Sequence, residues 1–100
     1  MILFEWDEAK AASNRRKHGV SFELASEVFD DPYAVAEQDR IEGDEERWQT
    51  IGSVEGLIVV FVGHTIREQG QDEIIRIITA RKATRKEREY YDKNREKNVG

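Results

Sequence analysis

The fold of this 100-residue chain is decided by the segment Ile74-Ile75-Arg76-Ile77-Ile78-Thr79-Ala80-Arg81-Lys82-Ala83-Thr84-Arg85-Lys86-Glu87-Arg88-Glu89-Tyr90-Tyr91. Its first part is rich in β-branched isoleucine, which predicts a buried strand. Thr84 stands three residues before Glu87, which is the spacing of a capping box at the start of a helix. The segment therefore predicts a strand that runs directly into a basic helix.

The junction between this strand and this helix is strongly basic. A helix N-terminus adds partial positive charge of its own, so such a junction suits an anion, most often a phosphate. We expect Lys82, Arg85 and Lys86 to bind phosphate there, together with Arg76 on the preceding strand. Arg81 lies at the junction itself and adjoins the capped helix.

Length and composition limit what the chain is. One hundred residues suffice for one domain with one small core, so residues 1–100 are predicted to form a single domain. No segment approaches the ~20 apolar residues of a membrane span, and the first residues lack the features of a secretory signal. With no cysteine there is no disulfide framework and no thiolate metal site. A cytoplasmic protein that does not bind a membrane is the default expectation.

The charge of the chain is unevenly distributed. The net charge is −5, but residues 81–97 carry eight Lys or Arg against four Asp or Glu, so the remainder carries −9. Residues 37–46 contain six acidic residues and a single arginine. This asymmetry indicates a basic working face and an acidic one. The alternative is that both charge runs are simply solvated surface.

The rest of the sequence predicts helices first and strands afterwards. Residues 2–6 are a strand candidate, 9–17 a helix candidate capped by Asp7, and a second helix begins after Ser21. That helix ends at Asp31-Pro32, because the residue before proline is pushed out of helical geometry. Further strands are expected at 33–36, 47–51, 57–65 and 73–81. The predicted order is β-α-α-β-β-β-β-α, an α+β fold with an antiparallel β-sheet flanked by helices.

Short motifs are spread over nearly the whole chain. They are Phe4-Glu5-Trp6-Asp7 with Lys10, Asn14 and Lys17-His18-Gly19-Val20; Phe22 and Phe29-Asp30-Asp31-Pro32; Glu46-Arg47-Trp48 with Ile51-Gly52; His64-Thr65 with Arg67; Arg76-Ile77-Ile78-Thr79-Ala80-Arg81-Lys82-Ala83-Thr84; and Glu87-Arg88. In this order and spacing they resemble the BrnT family of bacterial toxins. The resemblance implies a fold similar to that of RelE-type ribonucleases.

The resemblance also implies a function and partners. It implies a type II toxin–antitoxin system, in which an endoribonuclease cuts RNA and inhibits translation until a cognate antitoxin silences it. The antitoxin of such a pair is similar to a ribbon-helix-helix DNA-binding protein. We therefore expect a hetero-oligomer with the antitoxin that contacts DNA only through it and represses its own promoter. No cofactor is expected.

Metal-independent cleavage of RNA has defined chemical requirements. The 2′-OH attacks the adjacent phosphate, which needs a base, an acid for the leaving oxygen, and cations for the charge of the transition state. His64 is the catalytic candidate because imidazole titrates near pH 7, and Arg67 and Arg81 are the candidate cations. The alternative for His64 is a packed residue at a strand end. His18 is interpreted as the cap of a helix C-terminus.

Other candidates have structural alternatives. Arg76 and Arg81 are an odd number of residues apart, so they serve one site only if a bulge intervenes. Arg76 has the alternative of pairing with the acidic segment. Tyr91 is a candidate acid or stacking residue, or else a core residue of the last helix. Arg47 and Trp48 are candidate ligand contacts or packing residues. No metal site is predicted.

Two other functions would use the same features. A non-catalytic module that binds nucleic acid or the ribosome would use the basic junction and would need no histidine. A structural subunit of an autorepressing toxin–antitoxin complex would instead present its acidic surface to a basic partner.

Overall fold

A computed structural model describes residues 1–43 and 45–99. The strands are β1 (Ile2–Glu5), β2 (Val35–Glu42), β3 (Glu45–Val54), β4 (Ile58–Gln69) and β5 (Asp72–Lys82). The helices are α1 (Glu8–His18), α2 (Phe22–Ser26), which a 3₁₀ turn (Glu27–Asp30) extends, and α3 (Arg85–Val99). The predicted α+β order is confirmed. Within the described residues, no helix is long and apolar enough to cross a membrane.

The strands form one sheet in the order β1-β5-β4-β3-β2. Strands β2 to β5 pair as an antiparallel meander, whereas β1 joins the edge parallel to β5. Strand β4 is longer than predicted, because its polar end at Arg67 to Gln69 continues the hairpin with β5. The strand-end position given for His64 in its structural alternative is therefore wrong, and the residue lies within β4.

One side of the sheet, the helix-covered face, packs against α1, α2 and the 3₁₀ turn. Both predicted N-caps are confirmed: Asp7 accepts a hydrogen bond from the Lys10 N–H, and Ser21 accepts one from the Leu24 N–H, each at 3.0 Å. The core buried between the layers consists of Val20, Phe22, Ala25, Val28, Val54, Val60, Val62, Ile75, Ile77 and Ala80. This apolar layer fixes how the sheet is oriented.

Helix α1 is held to β5 by one buried polar side chain. The Asn14 amide donates to the carbonyls of Ala80 at 2.7 Å and Val20 at 3.1 Å. Its oxygen accepts from the Ala80 N–H and the Thr79 hydroxyl, both at 3.1 Å. These bonds use every donor and acceptor of the amide. The pairing of β1 with β5 ends at Arg76. Beyond that point, Asn14 supplies the hydrogen bonds to the β5 backbone that a neighbouring strand would otherwise make.

Helix α3 covers one end of the opposite side of the sheet. Tyr91 is 2% exposed and packs with Ile51, Phe61 and Ala83. Burial, and then the hydrogen bond that its hydroxyl donates to Asp31, raise the pKa of Tyr91 to about 12. Tyr91 is thus a core residue, which was the structural alternative for it.

The acidic segment forms the β2–β3 hairpin at the other edge of the sheet, apart from Asp44, which lies outside the described residues. Glu37 accepts a hydrogen bond from the Tyr90 hydroxyl of α3 at 2.9 Å. An irregularity between Gln38 and Arg40 brings Arg40 opposite Arg47 in β3. The hairpin therefore contributes a cation, Arg40, to the part of this side of the sheet that α3 leaves uncovered.

Candidate nucleic-acid interface

A bulge in β5 decides which arginines share a face. Gly63 pairs with Thr79 but His64 pairs with Ile77, so Ile78 is an extra residue in β5. The bulge shifts the alternation of side chains, and Arg76 and Arg81 consequently lie on the same side of the sheet. The structure thus meets the condition under which both can serve one site.

A row of polar side chains crosses the sheet on the part that α3 leaves uncovered. Arg40 lies opposite Arg47, Arg47 opposite Thr65, and Thr65 opposite Arg76. Glu5 of β1 ends the row beside Arg76. Directly paired residues present their side chains to the same face. We call this uncovered part the open face; it comprises Glu5, Arg40, Arg47, Gln49, Gly63, Thr65, Arg67, Arg76 and Thr79.

Glu5 organises two arginines at the end of this row. Its carboxylate accepts hydrogen bonds from Arg67 Nη1 and Nη2 at 2.9 and 2.8 Å, and from Arg76 Nη1 at 3.0 Å. The bonds from Arg67, then those from Arg76, lower the pKa of Glu5 to about 2. Arg76 therefore pairs with Glu5 and not with the acidic segment. The cluster keeps one net positive charge, and its side chains are 34–49% exposed.

A cavity of about 130 Å³ lies beside this row, next to Arg40 and Arg47. Gly63 forms part of it, and a Cβ at that position would come within 2.8 Å of Thr79 Cγ2. The other lining residues are Asp39, Arg40, Arg47, Trp48, Gln49, Phe61, His64, Ile78 and Thr79. A glycine in a strand often marks a place where a ligand approaches the backbone closely. At Gly63, however, the close neighbour is the side chain of Thr79, so this packing already explains the glycine.

Arg81 lies at the α3 end of the same side and is bound within the protein. Its guanidinium donates two hydrogen bonds to Glu87 at 2.7 and 3.0 Å and lies 4.0 Å above the Phe61 ring. Glu87 also accepts from the Thr84 N–H at 2.8 Å, while the Thr84 hydroxyl accepts from the Glu87 N–H at 3.2 Å. The predicted capping box is confirmed. The catalytic role of Arg81 stays a prediction.

The other cations of the junction lie away from the open face. Lys82 is exposed and pairs with Val60, whose side chain belongs to the helix-covered face. Arg85 and Lys86 are exposed on the first turn of α3, and Arg85 lies 3.3 Å from Glu89 in an exposed pair. The structure does not bring these three residues together with Arg67 and Arg76. Their binding of phosphate stays a prediction.

His64 lies on the helix-covered face. It is 1% exposed, and its ring meets Phe29 edge-on at 4.9 Å between centroids. Thr50 Oγ1 is 2.7 Å from Nε2, and the Thr65 carbonyl oxygen is 3.4 Å from Nδ1. Because a carbonyl oxygen only accepts, Nδ1 carries the proton and Nε2 accepts from the Thr50 hydroxyl. Both ring nitrogens are therefore occupied inside the protein.

The burial of His64 also determines its charge. Removal from water lowers the pKa of His64 to about 4, so the ring is neutral at pH 7. The structure brings Arg67 and Arg81 to one side of the sheet and places His64 on the other. This geometry favours the structural alternative, in which His64 is a packed residue with satisfied hydrogen bonds.

Several residues of the open face were missed by the sequence analysis. Glu5 was noted only as part of a motif, and Gly63 and Thr79 were assigned no role in the site. Thr65, buried between Arg47 and Arg76, had been noted only beside its neighbour His64. The sequence signal that could have indicated a role for Glu5 is the apolar strand β1, which ends at this residue. A parallel pairing of that strand with β5 sets Glu5 beside Arg76.

The half-buried carboxylate of Asp31 has a structural role. It accepts hydrogen bonds from the Ser53 N–H at 2.7 Å, the Tyr33 N–H at 2.9 Å and the Tyr91 hydroxyl. Asp31 thereby joins the end of the 3₁₀ turn to β3 and α3.

Across residues 1–43 and 45–99, no three His, Cys, Asp or Glu side chains are placed to hold a metal ion.

The sequence and the fold are each similar to those of known proteins. Residues 6–87 match the model of a family described as "Ribonuclease toxin, BrnT, of type II toxin-antitoxin system". The fold is similar to the crystal structure of the Brucella abortus ribonuclease toxin BrnT, with 30% sequence identity and a TM-score of 0.59. That similarity covers 85% of this chain and 99% of the other. No curated protein matches the sequence significantly.

Proposed function

This chain belongs to the BrnT family of ribonuclease toxins of type II toxin–antitoxin systems, and we propose that it is an endoribonuclease whose substrate lies on the open face. The observation that carries the proposal is the row Arg47–Thr65–Arg76, with Arg67 beside it. Guanidinium groups match the oxygens of a phosphate with two parallel hydrogen bonds. Single-stranded RNA is the form whose backbone and unstacked bases a shallow surface can reach.

The proposed reaction is attack of the 2′-OH on the adjacent phosphate. A bond forms between the 2′-oxygen and phosphorus and the bond to the 5′-oxygen breaks. Water takes the proton of the 2′-OH and water protonates the leaving 5′-oxygen, so the products carry a 2′,3′-cyclic phosphate and a 5′-OH. Negative charge accumulates on the phosphate oxygens in the transition state. Glu5 holds Arg76 through a single hydrogen bond, so the remaining N–H groups of Arg76 can stabilise this charge without reorganisation. Removing one such donor typically costs ~10²–10³-fold in rate. Both Nη atoms of Arg67 are bonded to Glu5, and these bonds would have to open before Arg67 could bind a phosphate through its fork.

His64 takes no part in the proton transfers of this proposal. Its ring joins β3 and β4 through Thr50 and packs on Phe29, so replacing it affects folding first. Arg81 remains a possible third cation because its guanidinium lies on the same side of the sheet. Its hydrogen bonds to Glu87 would have to open before it could bind a phosphate through its fork.

Cleavage in the absence of divalent metal tests the proposed reaction. Purified protein should cut single-stranded RNA equally well with EDTA and with magnesium, and the fragments should end in 2′,3′-cyclic phosphates. RNA that is 2′-O-methylated throughout should bind but stay intact, because its nucleophile is blocked. Full dependence on added magnesium would overturn the metal-independent reaction. Binding without any cleavage would identify the chain as a non-catalytic RNA-binding module.

Membership of a type II family implies a cognate antitoxin. We propose a ribbon-helix-helix protein that covers the basic surface of Arg81, Lys82, Arg85 and Lys86, in a cytoplasmic hetero-oligomer that binds DNA through the antitoxin alone. Free toxin would inhibit translation by cutting RNA. The variant Lys82→Glu/Arg85→Glu should bind the antitoxin more weakly than Arg15→Glu/Arg16→Glu, which reverses two exposed charges on α1. Equal affinity would show that the antitoxin docks elsewhere.

A further inference from the structure

Helix α1 presents a polar stripe where a packed helix normally presents an apolar one. Lys10, Ser13, Asn14, Lys17 and His18 follow the spacing i, i+3, i+4, i+7, i+8, which places them on one side of the helix. Asn14 is the buried residue of α1, and its amide is fully used in holding the helix to β5. Of the other residues of the stripe, Lys10, Lys17 and His18 are exposed and Ser13 is half-buried.

The stripe lines a cavity of about 190 Å³ between α1 and β5. Ile78, the extra residue of the bulge, and Thr79 complete its lining. The same two residues also line the cavity beside Arg47 and Gly63. The two cavities therefore meet at the bulge. Together the two cavities outline a path past Thr79 from the open face to α1, and we call this path the groove.

The cations of the α1 part of this groove are not neutralised by neighbours. Apart from the electrostatic attraction between Lys10 and Asp7, neither Lys10 nor Lys17 forms an ion pair with any carboxylate in residues 1–43 and 45–99. This differs from Arg67 and Arg76, which share the carboxylate of Glu5. Two exposed ammonium groups on one wall of a groove suit a flexible polyanion, because an ammonium binds phosphate as a point charge.

We propose that this groove, formed by Lys10, Ser13, Lys17 and His18, binds phosphates of the RNA backbone that flank the cleaved one. The inference rests on the proposed function, since it extends the strand held at Arg67 and Arg76. The RNA backbone then runs across the open face, over Thr79 and along α1. Contacts of this kind position the strand without reading its bases. The assignment gives a function to motif residues that the cleavage chemistry leaves unused.

Binding of a 2′-O-methylated hexanucleotide, measured by fluorescence anisotropy over a range of salt concentrations, tests this groove. The variant Lys10→Gln/Lys17→Gln should bind on the order of tenfold more weakly at ~0.1 M salt, and the slope of log affinity against log salt should fall by about 0.7 per lost phosphate contact. The matched control is Arg15→Gln/Arg16→Gln, which removes the same charge from the outward side of the same helix. The control should bind almost as the parent does.

The possible outcomes separate this inference from the proposed function. If the lysine variant and the control bind equally while Arg76→Gln binds poorly, the α1 groove is not a phosphate site and the open face still is. If the parent protein does not bind the hexanucleotide, or Arg76→Gln binds like the parent, the RNA site on the open face fails and the groove fails with it. Circular dichroism of each variant controls for folding.

Discussion

The two faces of one strand, β4, carry opposite kinds of chemistry. On the helix-covered face, His64 is buried, neutral and bonded through both ring nitrogens. On the open face, its neighbour Thr65 lies between Arg47 and Arg76 in a row of guanidinium groups. The group whose ordinary pKa suits catalysis is used for packing. The groups that keep their charge at every relevant pH face the solvent.

This difference follows from what each side chain loses on burial. Imidazole can lose its charge and enter a core at moderate cost, provided that its nitrogens find partners, as they do at Thr50 and Thr65. A guanidinium does not lose its proton in proteins, so it stays near water or near a carboxylate such as Glu5. A histidine that lies near arginines in the sequence therefore need not share their site.

The largest effect is expected on the open face. Arg76→Gln should lower the rate of RNA cleavage by about 10²-fold or more, because one preorganised donor to the phosphate is lost. Its melting temperature should change little, since Glu5 keeps its two hydrogen bonds from Arg67. Single-turnover cleavage under EDTA measures the rate, and Arg16→Gln, an exposed arginine of α1, is the matched control. A parental rate in Arg76→Gln would break the assignment of the open face.

An intermediate effect is expected on the helix-covered face. His64→Gln should destabilise the protein by ~1 kcal/mol or more, because it disturbs the contact with Phe29 and the hydrogen bond with Thr50. Cleavage per folded molecule should stay close to the parental value. Chemical denaturation gives the stability, and the same samples give the rate. A fully stable His64→Gln protein that has lost its activity would restore His64 to the mechanism.

The lowered pKa of His64 also predicts how the stability of the protein depends on pH. In the unfolded chain a histidine has its ordinary pKa of 6.5, whereas the folded protein lowers the pKa of His64 to about 4. Below pH 6.5 the unfolded state therefore takes up a proton that the folded state does not, and stability falls until the pH reaches about 4. The loss over this window amounts to at most about 3 kcal/mol. Denaturation midpoints measured between pH 6.5 and pH 4 should fall in the parent protein and should fall less in His64→Gln.

The smallest effect concerns Glu5. Its pKa falls from the ordinary value of 4.5 to about 2 in the folded protein, so its pairing stabilises the fold above pH 4.5, and this contribution is lost as the pH falls through 2. Glu5→Gln should remove the loss of stability that occurs as the pH falls from 4.5 to 2. At pH 7 it should change stability only slightly, since the ion pairs of Glu5 are partly exposed. Denaturation at pH 7 and pH 3 measures both. A large loss at pH 7 would show that the cluster holds the fold together.

The local features of the fold were predictable, and the faces of the strands were not. Asp7, Ser21 and the pair Thr84 and Glu87 mark helix starts through their own hydrogen-bonding chemistry, which depends on a few neighbouring residues. The face of a strand residue changes with every position, so the bulge at Ile78 alters the side to which all later residues point.

The candidate site depends on pairings between distant parts of the chain. Arg76 meets Glu5 because β1 lies parallel to β5, and it meets Arg47 through Thr65 of the intervening strand. No short motif contains this register. For the same reason, the motif His64-Thr65 suggested one functional unit although its two side chains point in opposite directions.

The side-chain signals of the arginines and of His64, followed by NMR in one sample, test most directly where RNA lies. A 2′-O-methylated hexanucleotide should shift the guanidinium signals of Arg67 and Arg76, while the imidazole of His64 keeps its Nδ1-protonated form and its pKa of about 4. Unchanged guanidinium signals together with a shifted His64 ring would contradict the account and place the RNA on the helix-covered face.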